Sequence, residues 1–191
     1  MYLGLFYSLK PTKMYNPEYS NSKHKDYVRD LVMSYTIKKY RRTFTLPNLN
    51  FSLENKMVSN DFIVHTAEYN PEVFEQQKQL IANNRKIILH LGKTSDVINS
   101  LSQPTNSFDV SYLDYCSSFS KEIHKTLVSI KSNVIVLTLM KARDVYLHSL
   151  IKQLGREAAH KYIFYSMGYE ILDTYKYQGT APMIVYVLKS I

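Results

Sequence analysis

Between Phe62 and Phe119 the sequence alternates short apolar runs with stretches of helical spacing, and this alternation is its strongest constraint on fold. Phe62-Ile-Val-His-Thr-Ala67, Lys86-Ile-Ile-Leu-His-Leu91 and Phe108-Asp-Val-Ser-Tyr-Leu113 read as strands. The first stops at Glu68 and is followed by Asn70-Pro71, a pair suited to cap and open a helix. The second stops at Gly92, shortly before Asp96, and the third stops at Asp114. Strands joined through helices lie parallel, and open parallel sheets bind ligands beyond the carboxyl ends of their strands. An acid or a tight turn at three such ends predicts a polar crevice along one edge of the sheet.

The flanking sequence extends this pattern. Residues 1 to 21 contain Pro11, Pro17 and scattered tyrosines without a clear period, which predicts an irregular arm. From Ser22, residues Val28, Leu31, Val32 and Tyr35 fall at helical spacing, with Lys38, Lys39, Arg41 and Arg42 crowded at the far end. That basic cluster suits either the helix dipole and solvent or a phosphate. Thr43-Phe-Thr-Leu46 reads as a first strand stopped by Pro47, and Phe51 to Ser59 as a short helix with Glu54 in its first turns. The helix opened by Pro71 is expected to bury Val73, Phe74, Leu80 and Ile81 and to end at Asn83-Asn84. Ser117 or Ser118 is the expected cap of the next helix, lined by Ile123, Leu127 and Ile130.

Asn133-Val-Ile-Val-Leu-Thr-Leu139 is apolar almost throughout, as expected of a central strand covered on both faces. Leu147, Leu150, Ile151 and Leu154 then follow helical spacing, with Gly155 placed to kink or divide the helix and Gly168 to end its continuation. The last two strand runs, Tyr169 to Tyr177 and Met183 to Leu188, are separated only by Gln178 to Pro182. A parallel crossover needs a dozen or more residues, so these strands form an antiparallel hairpin. The expected fold is therefore α/β, a Rossmann-like three-layer sandwich with a seven-stranded, mostly parallel sheet. Its expected division is an N-terminal arm and basic amphipathic helix, 1–42, and a main domain, 43–191.

Composition narrows the function classes. With 24 Lys and Arg against 16 Asp and Glu the net charge is +8, which favours partners carrying phosphates or anionic headgroups. The single cysteine, Cys116, leaves no internal disulfide framework and suits a reducing, cytoplasmic setting. The apolar start, Met1 to Leu9, is too short to span a bilayer, so no membrane association is expected. Abundant Tyr, Asn, Lys and Ile suggest an AT-rich genome such as that of a virus or mobile element. The six histidines are scattered without metal spacing, and no metal is expected. A Walker loop, a Gly-x-Ser-x-Gly elbow and a Cys-x-x-Cys pair are all missing.

Over about residues 24 to 191 the element order resembles that of the class I S-adenosylmethionine-dependent methyltransferases. Four stretches carry the resemblance: Thr66-Ala-Glu-Tyr-Asn-Pro71, Gly92-Lys-Thr-Ser-Asp96, Phe108-Asp-Val-Ser-Tyr-Leu-Asp114 with the Tyr-Cys-Ser-Ser that follows, and the closing hairpin. The resemblance implies S-adenosylmethionine as cofactor, with Glu68 and neighbouring Tyr69 at its ribose and Asp96 beside its adenine. It also implies that the segment Asp114, Tyr115, Cys116 flanks the methyl-transfer site. The family's glycine-rich loop after the first strand corresponds to Leu46-Pro47-Asn48-Leu49-Asn50, which has no glycine. Asn tolerates positive φ better than most residues, so Asn48 and Asn50 are the expected substitutes, with Pro47 of the same loop also at the cofactor and Glu54 reaching its ammonium.

Each residue also has a plainer role open to it. Glu68 could cap the helix opened by Pro71, and Asp96 could cap its own helix. Asp114 ends a mostly apolar strand, where an unpaired buried charge is costly, so it should face a polar cleft. Asp114 and Tyr115 loosely resemble the acid and aromatic with which amino-methylating enzymes hold a base, without the intervening Pro. Cys116, near a helix start, is a packed residue or a nucleophile of lowered pKa. Lys141 and Arg143, beyond the fifth strand, would sit at the edge of the acids, where a substrate phosphate could reach them. The resemblance and the basic balance together imply methyl transfer to a DNA or RNA base, with Lys38, Lys39, Arg41, Arg42, Lys141 and Arg143 steering the polyanion. Target choice would come from the N-terminal arm and helix, the loops, a partner subunit or a homo-oligomer. A catalytically degenerate fold that binds nucleic acid or a protein is the alternative.

Overall fold

The computed structural model describes residues 23–47, 50–101, 107–142, 144–179 and 181–191. The expected irregular arm, Asn48 and Arg143 lie outside the described residues. Strands β1 (Arg42–Thr45), β2 (Ile63–Glu68), β3 (Ile87–Leu91), β4 (Ser107–Asp114), β5 (Lys131–Met140), β6 (Tyr169–Gln178) and β7 (Pro182–Ser190) form one sheet in the order β3-β2-β1-β4-β5-β7-β6. The first five run parallel, whereas β7 pairs antiparallel with both β5 and β6. The short connection after Gln178 thus makes the expected hairpin. Its second strand pairs with β5.

Helices cover both faces. One layer holds α1 (Lys23–Ser34), α2 (Ser52–Ser59) and α3 (Pro71–Leu80); the other holds α4 (Thr94–Ser100), α5 (Lys121–Ser129), α6 (His148–Leu154) and α7 (Arg156–Ser166). Val28 and Val32 of α1 are fully buried against Met57 of α2 and the sheet residues Val110, Tyr112 and Val136. On the other face Phe108, Leu113, Ile123, Leu127, Leu137 and Phe164 pack together. β5 is buried along almost its whole length, as its unbroken apolar run requires. Gly155 divides α6 from α7 at φ 77°, and Gly168, at φ 84°, follows the end of α7.

Several local expectations are corrected. The first helix stops at Ser34, where the Ser34 hydroxyl donates to the Leu31 carbonyl and the Thr36 hydroxyl to that of Met33. Such local bonds compete with helix continuation, so Lys38 to Arg41 form a connecting segment rather than a helix terminus, and Arg42 opens β1. Ser120, not Ser117 or Ser118, caps α5, accepting from the Ile123 amide at 3.3 Å. In α3 the only fully buried residue is Gln77; Val73, Phe74 and Ile81 are half-buried and Leu80 is 64% exposed. This helix lies at the β2–β3 margin of the sheet, too far out for its apolar stripe to be covered.

Candidate active site

Strand register sets the geometry of the acid rim. Thr45, the last residue of β1, pairs with Thr66 of β2 on one side and Tyr112 of β4 on the other. Glu68 and Asp114 each lie two residues beyond that level, so the pleat aims both toward the face that carries α1 and α2. They flank β1 at a backbone separation of about 10 Å, two interstrand spacings. Glu54 approaches the same place from the first turn of α2. Asp96 lies at the same edge but on α4, in the opposite layer, and is exposed.

Glu68 is half-buried. Its Oε1 accepts from the Asn70 amide at 2.7 Å, and its carbonyl accepts from the Gly92 amide at 2.9 Å. The first contact shapes the turn into α3, whose cap is Asn70 itself, accepting from Glu72 and Val73. The second fastens the end of β3 to the end of β2. Gly92 sits at φ 146°, a conformation that residues with a side chain rarely adopt, so this junction favours glycine. Tyr69 is 75% exposed and, with Asn70, Pro71 and Glu72, lines an open groove of about 500 Å³ beside Glu68.

The cap of α4 is neither Asp96 nor a residue of its own helix. Glu122 of α5 accepts from the Ser95 amide at 2.9 Å and from its hydroxyl at 3.1 Å, leaving Asp96 to solvent in the first turn. That position still favours a negative charge through the helix dipole.

Glu54 is 2% exposed, and its Oε2 has no partner among the described residues. Burial raises its pKa from 4.5 to about 7, against the opposing pull of its own backbone, the Thr45 hydroxyl and the Arg29 guanidinium. Phe51, immediately before α2, holds φ 47° and ψ 32°, a left-handed conformation rare for an aromatic residue. Its ring is buried in the core beneath α1, which holds the backbone there. The glycine-less loop thus ends in a left-handed residue fixed by its side chain. Pro47, at the start of that loop, is half-buried.

At Asp114 the structure supplies a partner that the sequence did not suggest. Lys25 of α1 ion-pairs with Oδ2, while Oδ1 is buried without a partner among the described residues. Beside it the Tyr177 hydroxyl is buried and also has no partner among the described residues. Burial first, then the Asp114 charge, pushes the Tyr177 pKa far above the ordinary tyrosine range. His24 stacks on the Tyr177 ring with centroids 5.2 Å apart and shares a 2.7 Å hydrogen bond with the Tyr175 hydroxyl. The first turn of α1 therefore closes over the end of β4.

Tyr115 and Cys116 do not take the roles expected of them. The Tyr115 ring packs against the core, with its hydroxyl 3.1 Å from that of Thr126 on α5, so it is turned away from the cleft. Cys116 is an exposed residue, yet its thiol pKa is raised, by desolvation first and the Asp114 carboxylate second. The helix that would have lowered it begins only at Lys121. A raised thiol is a poor nucleophile at neutral pH.

The basic residues divide between the two edges. Lys141 is exposed just past β5, at the acid rim, with its amide donating to the Pro182 carbonyl at 2.7 Å. Lys38, Lys39, Arg41 and Arg42 lie at the opposite edge, where β1 begins. The buried Asp109 carboxylate, near the start of β4, accepts from the amides of Lys39, Tyr40 and Arg41 at 2.7 to 3.0 Å and fixes the segment there. Asp109 is five residues from Asp114, so these cations stand about 16 Å from the rim and do not line its cleft.

No family model matches the chain, and no curated protein matches its sequence. Solved structures do match its shape. An RNA methyltransferase described as putative, from Pyrococcus horikoshii, superposes with TM-score 0.60 at 10% identity over 90% of this chain and 86% of that one. The magnesium protoporphyrin IX methyltransferase of Synechocystis, with S-adenosylhomocysteine bound, superposes with TM-score 0.58 at 11% identity over 88% and 83%. This chain has the class I methyltransferase fold. The same fold superposes with TM-score 0.60 and 10% identity on the [4+2]-cyclase SpnF, over 87% of this chain and 81% of that one. Chemistry must therefore be argued from the residues. Among the described residues no group of His, Cys, Asp or Glu could hold a metal ion, and no helix is long and apolar enough to cross a membrane.

Proposed function

We propose that this chain is an S-adenosylmethionine-dependent methyltransferase whose acceptor is a base in a nucleic acid. The observation that carries the reading is the convergence of Glu54, Glu68 and Asp114 around the end of β1, on one face of the sheet, within a fold shared with methyltransferases. The residues fit the cofactor's chemistry. Two carboxylates have oxygens that no described residue satisfies, Glu54 Oε2 at the loop after β1 and Asp114 Oδ1 at the end of β4. Glu68 ends β2, where an acid can accept from ribose hydroxyls, and Glu54 is placed for the ammonium of a methionine moiety. When bound, S-adenosylmethionine supplies a methyl group activated by its sulfonium.

The chain's own part is positioning. Asp114 accepts from an exocyclic amine and holds it in line, and Tyr177, with its hydroxyl kept protonated, donates to a neighbouring ring acceptor. Lys141 favours an approaching phosphate. The RNA methyltransferase and the fibrillarin pre-rRNA processing protein of Methanococcus jannaschii among the structural neighbours support the nucleic-acid reading, as does the charge of +8. A second reading, a degenerate fold that binds without catalysis, is favoured by the Lys25–Asp114 pair and the glycine-less loop. Calorimetric titration with S-adenosylmethionine and S-adenosylhomocysteine separates the two. Binding weakened tenfold or more by Glu68→Ala supports the enzyme; no heat with wild type or variant supports the binding module.

A further inference from the structure

The edge of the sheet opposite the acid rim has its own groove. Tyr40, Arg41, Arg42, Asp61, Ile63 and Lys86 line an open depression of about 370 Å³ where β1, β2 and β3 begin. Asp61 bridges two of the cations, accepting from Arg41 at 2.6 Å and from Lys86 at 2.7 Å. Lys86, then Arg41, hold its carboxyl below the ordinary range. Arg42 has no carboxylate partner among the described residues, and its Nε is buried there without an acceptor. The backbone beneath is held firm by the three amides clasped around Asp109, and Lys38, Lys39 and Arg85 add charge at the same edge.

Three cations around one carboxylate leave an excess of positive charge facing solvent, and guanidinium groups match phosphate oxygens two at a time. From this we propose that the groove is a phosphate site for the backbone of a nucleic acid, separate from the cleft that takes the base. It rests on the reading above only for where that base goes. The two edges are about 16 Å apart along the strands, roughly five stacked nucleotides at 3.4 Å each, and a strand that passes outside the covering helices needs more than that, well within a 20-nucleotide chain. A single molecule can therefore reach both. Asp61 acts as the internal counter-ion that an incoming phosphate displaces from Arg41 and Lys86.

The test uses fluorescence anisotropy of a labelled mixed-sequence 20-nucleotide single-stranded RNA, titrated with the full chain at several salt concentrations. Asp61→Asn removes the competing carboxylate, and Asn keeps the left-handed turn at φ 70°. It should tighten binding several-fold. Arg42→Gln with Lys86→Gln should weaken binding and reduce the salt slope by about 1.4, roughly 0.7 for each lost phosphate contact. Lys152→Gln with Lys161→Gln, exposed on α6 and α7, serves as the control and should change neither as much. Circular dichroism verifies that each variant folds. Equal affinity and slope in wild type, Asp61→Asn and Arg42→Gln/Lys86→Gln would overturn the proposal. So would binding to anionic phosphatidylserine vesicles that the double variant abolishes while RNA binding stays intact. Loss of the calorimetric cofactor signal with RNA binding retained would remove the enzyme reading and leave this site standing.

Discussion

Replacing Glu54 by Gln should make the protein more stable and at the same time less able to bind cofactor. The side chain is 2% exposed with a pKa near 7, about 2.5 units above its ordinary 4.5. At about 1.4 kcal/mol per unit, the folded state holds its proton more tightly than the unfolded state by roughly 3 kcal/mol. Because this pKa is raised, the contribution is complete below pH 4.5 and is lost as pH rises through 7. At pH 8 the buried carboxylate is ionised at a cost of about 3 kcal/mol, which a neutral isostere avoids. Gln forgoes the attraction of Arg29, so the net gain expected at pH 8 is about 1 to 3 kcal/mol, shrinking to little at pH 5. For a chain of this size that is a Tm increase of several degrees, on the order of 2 to 4 °C per kcal/mol. Thermal unfolding followed by circular dichroism at pH 5 and pH 8 measures it, and the difference between wild type and variant isolates Glu54 from other titrating groups. A variant equally stable at both pH values, or less stable at pH 8, would refute the claim that this charge is buried at a cost. If the stabilised variant also binds S-adenosylmethionine unchanged, Glu54 has no part in the cofactor site.

His65, whose pKa is lowered to about 4 chiefly by burial and secondarily by His90 and Arg42, should make the protein acid-sensitive. The unfolded chain takes up this proton near pH 6.5 and the folded chain only near 4, so stability falls across that window by up to about 3 kcal/mol. Urea unfolding from pH 7 to 4 should show the loss in wild type and a shallower one in His65→Phe. Lys25→Met removes the cation paired with the largely buried Asp114 and should cost about 1 to 3 kcal/mol in the same assay. Asp114→Asn in that background should recover part of the loss; a further drop would mean that the two side chains act independently.

Much of the fold was legible because its signals are local. The apolar runs at β2, β4 and β5 and the short link between β6 and β7 left few topologies, and Asn70-Pro71 opens α3 as its chemistry dictates. The acids at the ends of β2 and β4 were legible for the same reason, since register follows from the strands. What could not be read were partners distant in sequence. Lys25 meets Asp114 across 89 positions, and Asp109 clasps amides some 70 positions away. The pattern that marked α1 as amphipathic carried no hint that its first turn covers β4. Nor did the basic run near residue 40 reveal which edge of the sheet it would occupy, because that depends on a buried carboxylate holding main-chain groups. Glu122 as the cap of α4, in place of Asp96, is another contact between elements with no local signature.

The strand order has a consequence for how the molecule can be assembled. β7 is wedged between β5 and β6, so until residues 182 to 190 arrive β5 is held by β4 alone and β6 has no partner strand. A chain interrupted at Gln178 would leave the apolar flank of β5 bare, an unpaired template for association with other copies, and β6 with nothing to zip against. Shortening from this side should therefore yield insoluble material rather than a smaller working protein.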